Sequence, residues 1–209
     1  MMSSDDAALI QAWRGGDIQA ADTLLRRYFD ELWRFFRNKV DDAAEEMIQR
    51  TMTALLKTPD QFRGESTFRT YLFCIARSEL FRFYRQRQRA HEQLDFGSVS
   101  VADMGASPSS VAAQRQHERA LLIALRRIPL EFQILLEWHY WEDLKMTEIA
   151  AALEIPLGTA KSRLRRARER LEAELRETID SRDQLSSTLQ NLDGWAKQLR
   201  EAVGKAGTT

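Results

Sequence analysis

The sequence predicts an all-α protein of two small helical domains joined by a flexible linker, with a C-terminal helical extension. Three observations carry this. Only 4 prolines and 9 glycines occur among 209 residues, and the dominant residues Leu, Ala, Arg, Glu and Gln lose little rotamer freedom in a helix. Large apolar side chains recur at three- and four-residue spacing through most of the chain. That spacing stops between residues 91 and 116, where Gly97–Ser100 and Gly105–Ser110 are small and polar, too poor in apolar surface to offset the entropy of ordering. The division is therefore 7–90, a linker at 91–116, 117–178, and an extension at 179–209.

In the first block Gly15-Gly16-Asp17 is a break followed by a good N-cap. After it Leu24, Leu25, Tyr28, Phe29, Leu32, Trp33 and Phe36 form an aromatic-rich stripe. A second helix runs from about Asp42 to Lys57 and ends before Pro59. Phe62–Ser66 is a turn, and a long helix follows from Thr67 to about Arg89. Phe68, Tyr71, Leu72 and Ile75 have the spacing of a core face. Phe81, Phe83 and Tyr84 cannot all turn inward, so at least one is expected at the surface.

In the second block the helices predicted are Glu118–Arg127, Leu130–Tyr140, Thr147–Leu153 and about Leu157–Arg176. Leu185, Leu189, Leu192, Trp195, Leu199 and Val203 give the extension one more amphipathic stripe.

Composition excludes several functions. Basic and acidic residues number 31 each, so net charge is zero; a wholly basic nucleic-acid coat is out, a local basic patch is not. The single cysteine, Cys74, forbids an intramolecular disulfide, suits a reducing compartment, and reads as inert core. The N-terminus has no secretory pattern, and no apolar run nears the ~20 residues that span a bilayer. A cytoplasmic protein without membrane insertion is expected. His91, His117 and His139 are scattered and lack cysteine partners, which argues against zinc. There is no glycine-rich phosphate loop and no nucleophile elbow. No enzyme activity, metal or cofactor is predicted.

The most informative stretch is Met146–Arg163. Thr147 can cap a short helix with Ile149, Ala150 and Leu153 inward, and small Ala150 lets a second helix approach. Pro156 cannot continue the first helix, and Gly158-Thr159 can open and cap the next. The second helix sets Lys161, Arg163, Arg165, Arg166, Arg168 and Arg170 against one acid, Glu169, with Leu164, Ala167 and Leu171 inward. Short helix, tight turn and basic second helix make a helix-turn-helix, whose cations and hydroxyls can meet phosphates and base edges. An arginine-rich solvated face is the competing reading of the basic run; the turn chemistry at this spacing favours DNA.

Thr147–Ala150 followed by Ile155–Arg168 resembles region 4 of extracytoplasmic-function (ECF, group IV) sigma factors of the sigma-70 family. Independently, Phe62-Arg63-Gly64-Glu65-Ser66-Thr67-Phe68-Arg69-Thr70-Tyr71-Leu72 with Ile75-Ala76-Arg77 is similar to region 2 of that family. The resemblance covers roughly residues 7–90 and 117–176 and implies an alternative sigma factor. Such a protein binds core RNA polymerase, recognises −35 and −10 promoter elements and promotes transcription initiation. It implies that Gly158, Thr159, Lys161, Ser162, Arg165 and Arg166 read duplex DNA at the −35 element. It places the melted −10 strand, with one flipped base, against Arg63, Gly64, Glu65 and Ser66. There Gly64 admits close backbone approach and aromatics can stack on an unpaired base. Arg77, Arg82, Arg85, Arg87 and Arg89 would track the backbone of the opened strand. Glu45, Glu46 and Gln49 would dock on the polymerase, whereas Asp41 and Asp42 also suit the helix dipole.

The apolar stripe of the 179–209 extension must pack on the protein's own body, on another chain or on a regulator; self-regulation by the extension, or an anti-sigma factor, is a control this leaves open. Relatives commonly carry glycine at Glu154, asparagine at Ser78 and tryptophan at Tyr71. Glu154 would then have to tolerate a left-handed or tightened turn, at about 1 kcal/mol. Two other classes compete. A conventional repressor would bind duplex operator without polymerase, and a helical regulator would bind a partner without promoter selectivity. The first block's loop and acidic helix favour the sigma reading.

Overall fold

The computed structural model describes residues 4–57, 61–87, 96, 100–102 and 116–178. Most of the expected linker, Arg89 and the whole 179–209 extension lie outside them. The described residues form eight α-helices and no strand; Ser100 and Pro129 make one isolated bridge.

The N-terminal bundle begins with α1 (Ser4–Arg14), a helix the sequence reading did not single out. Its Ile10 and Trp13 are buried, and it ends where Gly16 takes φ 95°. Asp17 then caps α2 (Ile18–Arg37), its carboxylate accepting from the amides of Gln19 at 2.9 Å and Ala20 at 3.2 Å, as expected. Leu24, Tyr28, Leu32, Phe35 and Phe36 are buried along α2, but Phe29 of the predicted stripe faces outward.

A 3-10 turn (Asp41–Ala43) leads into α3 (Ala44–Leu56), two residues later than the sequence suggested. The long α4 (Phe68–Arg87) starts at Thr67, whose hydroxyl accepts from the Thr70 amide at 3.1 Å. Phe68 and Leu72 are in the core, while Tyr71 and Ile75 pack at its margin. None of the three aromatics farther along is fully exposed, contrary to expectation. Phe81 and Tyr84 are buried and Phe83 is half-buried. The reason is a residue of the linker stretch. Phe96 stacks on Phe81 with ring centroids 4.1 Å apart, and Arg87 lies over Phe83.

The C-terminal bundle comprises α5 (Gln116–Arg127), α6 (Leu130–Leu136), α7 (Met146–Ala152) and α8 (Leu157–Thr178). The predicted single helix Leu130–Tyr140 is two pieces, because a π-helical turn occupies Glu137–Trp141. Gln133 through Trp138 are six consecutive buried residues. A helix buried on every side is packed between neighbours rather than laid on a surface. The neighbours of α6 include α5 and α8, and the N-terminal bundle covers its far end.

There Trp138 sits against Phe35 and Phe73, with centroids 6.5 and 6.1 Å away. Lys39 and Glu137, both buried, form an ion pair between the bundles. Phe96 and Val101 are buried against the same junction, with the Glu131 amide donating to the Phe96 carbonyl at 3.0 Å and the Ala102 amide to Arg126 at 2.9 Å.

Candidate nucleic-acid interface

The helix-turn-helix is built from α7, the turn Leu153–Pro156 and α8. Thr147 is not the cap of α7. That helix begins one residue earlier, and Glu148 reaches back to accept from the Lys145 amide at 2.9 Å, which satisfies an otherwise orphaned donor. The amides of Leu153, Glu154 and Ile155 close the turn onto Ile149, Ala151 and Ala150. Glu154 has φ 54°, the left-handed of the two turn forms expected for it. Gly158 and Thr159 lie inside the first turn of α8 rather than capping it; the Pro156 carbonyl accepts the first bond of α8, from Ala160.

Side chains divide sharply around α8. Ala160, Ala167, Leu171 and Leu175 are buried, each at 2% exposure or less. Lys161, Arg165, Arg166, Arg168 and Arg170 are exposed on the other side. Arg165 pairs with Glu169 at 2.6 Å one turn on. The half-buried Ser162 donates its hydroxyl to the Thr159 carbonyl at 2.9 Å. Space beside Gly158 is open, so a phosphate can reach the amides that begin this helix. The arrangement is a rigid cationic ridge suited to a groove of duplex DNA.

The second predicted site is the loop before α4. Phe62 anchors it, buried between Phe68 and Tyr71 at 5.7 and 5.3 Å, with Arg14 donating to its carbonyl. Past that anchor Arg63, Gly64 and Glu65 are exposed and Ser66 is half-buried. Gly64 has φ 77°, a conformation that side chains beyond glycine resist. Loop and α4 form one side of a cleft of about 540 Å³; residues 151–154 of the helix-turn-helix form the other.

The predicted strand-tracking arginines of α4 are not equivalent. Arg82 and Arg85 are exposed; Arg82 pairs with Glu79 at 3.1 Å and Arg85 lies over the Phe96 ring. Arg77 is held more firmly, 2.9 Å from Glu131 and stacked over Phe81 at 4.3 Å. Arg69 was not singled out by sequence. Its guanidinium bridges Glu31 at 2.5 Å and Glu142 at 2.6 Å. Cys74 also faces the other bundle rather than the core interior, with its sulfur 3.5 Å from the Ala152 carbonyl oxygen. Burial pushes its thiol up to about 11, so it is protonated and unreactive near neutrality.

On α3, Glu45, Glu46 and Gln49 are exposed while Met47 and Ile48 point inward. Glu46 pairs with Arg50 at 2.7 Å. Glu46, Gln49 and Arg50 border a shallow groove between α3 and α4, apart from the loop and the recognition helix. Among the described residues no group of His, Cys, Asp and Glu could hold a metal, and no helix is long and apolar enough to cross a membrane.

Comparison with known proteins agrees with this geometry. Residues 24–90 match the family model for Sigma-70 region 2, and residues 118–171 match that for Sigma-70, region 4. The ECF RNA polymerase sigma factor RpoE of Cereibacter sphaeroides is 32% identical over 173 residues, covering 80% of this chain and 93% of that protein. The ECF RNA polymerase sigma-E factor of Haemophilus influenzae is 26% identical over 180 residues, covering 80% and 93%.

Two solved structures share the fold. CnrH in complex with the cytosolic domain of CnrY has a TM-score of 0.53 at 22% identity, covering 85% of this chain and all of that one. The sigma factor RpoE in complex with the anti-sigma factor NepR from Bartonella quintana has a TM-score of 0.52 at 20% identity, covering 81% and 99%. The chain belongs to the ECF sigma factors of the sigma-70 family: an alternative sigma factor, not an enzyme, that binds core RNA polymerase and promoter DNA and promotes transcription initiation.

Proposed function

We propose that this sigma factor divides promoter recognition among three surfaces. Gly158, Thr159, Lys161, Ser162, Arg165 and Arg166 read the −35 duplex. Arg63, Gly64, Glu65 and Ser66 hold a flipped base of the melted −10 element, with Arg77, Arg82 and Arg85 along its backbone. Glu45, Glu46 and Gln49 dock on core polymerase. The observation that carries this is the two-faced α8, alanines and leucines inward and an almost unopposed row of cations outward. Such a helix gains phosphate contacts from every exposed cation and base contacts from the few at its leading end.

The working units are residues 7–90 and 117–178, with 91–116 as the tether between them, and the protein acts in the cytoplasm. Residues 179–209 are proposed to restrain the sigma factor by covering one of these surfaces. An anti-sigma factor is the other proposed control, supported by the two structural relatives solved with CnrY and NepR.

The test is promoter-directed transcription by sigma-free bacterial core polymerase over a pool of genomic templates. Discrete new transcripts, lost with Arg166→Ala or Ser162→Ala, are expected. Transcripts that survive both substitutions would remove α8 from promoter reading. A variant ending at Asp180 with unchanged promoter output and solubility would count against regulation by the extension.

A further inference from the structure

The loop before α4 is tied to its bundle at few points. Residues 63–66 make no backbone–backbone hydrogen bond among the described residues. On the far side the Ser66 hydroxyl donates to the Thr67 carbonyl at 3.2 Å, where α4 begins. On the near side the tie is Phe62. Its ring is buried, and its carbonyl accepts from the guanidinium of Arg14, 48 positions earlier. The same guanidinium lies over the Phe62 ring, 6.0 Å from the centroid.

A buried ring fixes where Phe62 sits, but not which way its peptide plane turns. The bond from Arg14 sets that plane, and with it the direction in which the chain leaves toward Arg63. The next residue, Gly64, stands at φ 77°. Glycine has the widest choice of backbone states and holds none of them by itself. A loop with such a pivot and no ladder bonds loses entropy on settling into one form. An anchor beside the pivot removes part of that cost before a strand arrives.

Arg14 is itself well placed for this. It is the last residue of α1, whose Ile10 and Trp13 are buried. Asp6 of the same helix accepts from Arg27 and, at 2.6 Å, from the Tyr28 hydroxyl of α2. The Tyr28 ring is 5.6 Å from Phe68, which in turn packs on Phe62. An arginine ending a helix also complements the helix dipole, but that role asks for no bond to a carbonyl in a distant loop. Helix α1 lies ahead of residues 24–90, the stretch that matches region 2, so the match gives it no role.

We propose that Arg14 is a positioning residue for the −10 loop: from the end of α1 it orients the Phe62 carbonyl and so the approach of Arg63–Ser66 to the melted strand. It reads no base itself; it favours the loop form that does. This rests on the assignment of that loop to the −10 element.

The test uses holoenzyme assembled from sigma-free core polymerase and the full-length protein, unsubstituted or carrying Arg14→Ala or Arg14→Lys. The template is a promoter mapped by the transcription assay above. Three quantities are read: permanganate reactivity of unpaired thymines around −10, preference for the native −10 sequence over single-base variants, and binding to a duplex holding the −35 element alone. Arg14→Ala should lower opening and −10 preference about fivefold, the scale of one hydrogen bond's net worth, with less than about a twofold change at −35. Arg14→Lys, which keeps a cationic donor, should recover most of the loss.

Unchanged opening and −10 preference in Arg14→Ala would overturn the proposal. So would a loss shared equally by −35 binding, which marks a general weakening of the fold. Arg63→Ala and Glu65→Ala, measured alongside, separate this inference from the loop assignment. If they shift −10 preference and Arg14→Ala does not, the positioning role fails alone. If none of the three does, the loop assignment fails with it. A shift from Arg14→Ala alone would place its action outside the loop and also overturn the proposal.

Discussion

Two helices carry the arginines proposed to meet DNA, and they keep them in opposite states. On α8 Lys161, Arg165, Arg166, Arg168 and Arg170 stand in solvent, with Glu169 pairing Arg165 a turn away. On α4 the cations nearest the other bundle are already engaged: Arg69 with Glu31 and Glu142, Arg77 with Glu131 and the Phe81 ring. The proposed duplex reader is preformed, whereas the proposed strand-capturing face is partly occupied by the chain's own carboxylates. The difference follows from what each must bind. Duplex DNA is always present, so a ready ridge costs nothing in selectivity. A single strand exists only after melting, so a face that must first be vacated does not squander itself on stray anions.

The sharpest way to break this comparison is at Lys39. Lys39→Ala leaves Glu137 buried without its cationic partner, which should destabilise the fold by about 3–5 kcal/mol. The paired replacement Lys39→Met with Glu137→Leu should restore most of it, as read by urea unfolding. Equal stability of single and double variants would show that the pair does not hold the bundles together.

Next in size is the reactivity of Cys74. Burial raises its thiol from 9.0 to about 11, so at pH 8 the thiolate is about a hundredfold scarcer than for an open thiol. Its alkylation rate by iodoacetamide should keep rising toward pH 11, and in Lys39→Ala the profile should slide back toward 9. A plateau near 9 in the unsubstituted protein would mean that α7 does not cover this residue.

On the other helix, Arg166→Ala should weaken binding of polymerase holoenzyme to a −35 duplex by about 1–3 kcal/mol. Loss of that size at every sequence alike, rather than at one base position, would make Arg166 a phosphate contact. Smaller still, Glu154→Gly relieves a left-handed backbone and should add about 1 kcal/mol to thermal stability. Smallest is Glu169→Gln, which removes a surface pair and should change stability by less than about 0.5 kcal/mol, read by thermal unfolding.

Local chemistry made much of this legible in advance. Asp17 after two glycines, Pro156 before the basic helix, and the inward alternation at Ala167 and Leu171 are decided by neighbours a few residues away. What escaped was decided at long range. The π turn at Glu137–Trp141 exists where a helix is enclosed by both bundles, and a helical pattern does not announce enclosure. Lys39, Glu131, Glu137 and Glu142 look like ordinary surface charges in sequence, because spacing says nothing of partners 54 to 98 positions away. One signal was available. Leu130-Glu131-Phe132-Gln133-Ile134-Leu135-Leu136-Glu137-Trp138 has no polar face wide enough for a helix in water, so its acids needed partners inside. The α4 aromatics escaped similarly, since their cover, Phe96, comes from a stretch otherwise poor in large apolar residues.

Glu131 bears on how promoter affinity responds to ionic strength. Its two oxygens serve Arg77 of α4 at 2.9 Å and Arg163 of α8 at 3.5 Å, one anion between cations of both DNA-facing helices. Proteins that bind nucleic acid usually gain affinity by releasing condensed counterions, and lose it steeply as salt rises. An arginine that leaves a carboxylate for a phosphate exchanges one fixed anion for another, and salt weakens both sides of that exchange. For this sigma factor the logarithmic fall of promoter affinity with salt should therefore be shallower than its number of phosphate contacts implies, and Glu131→Gln should steepen it.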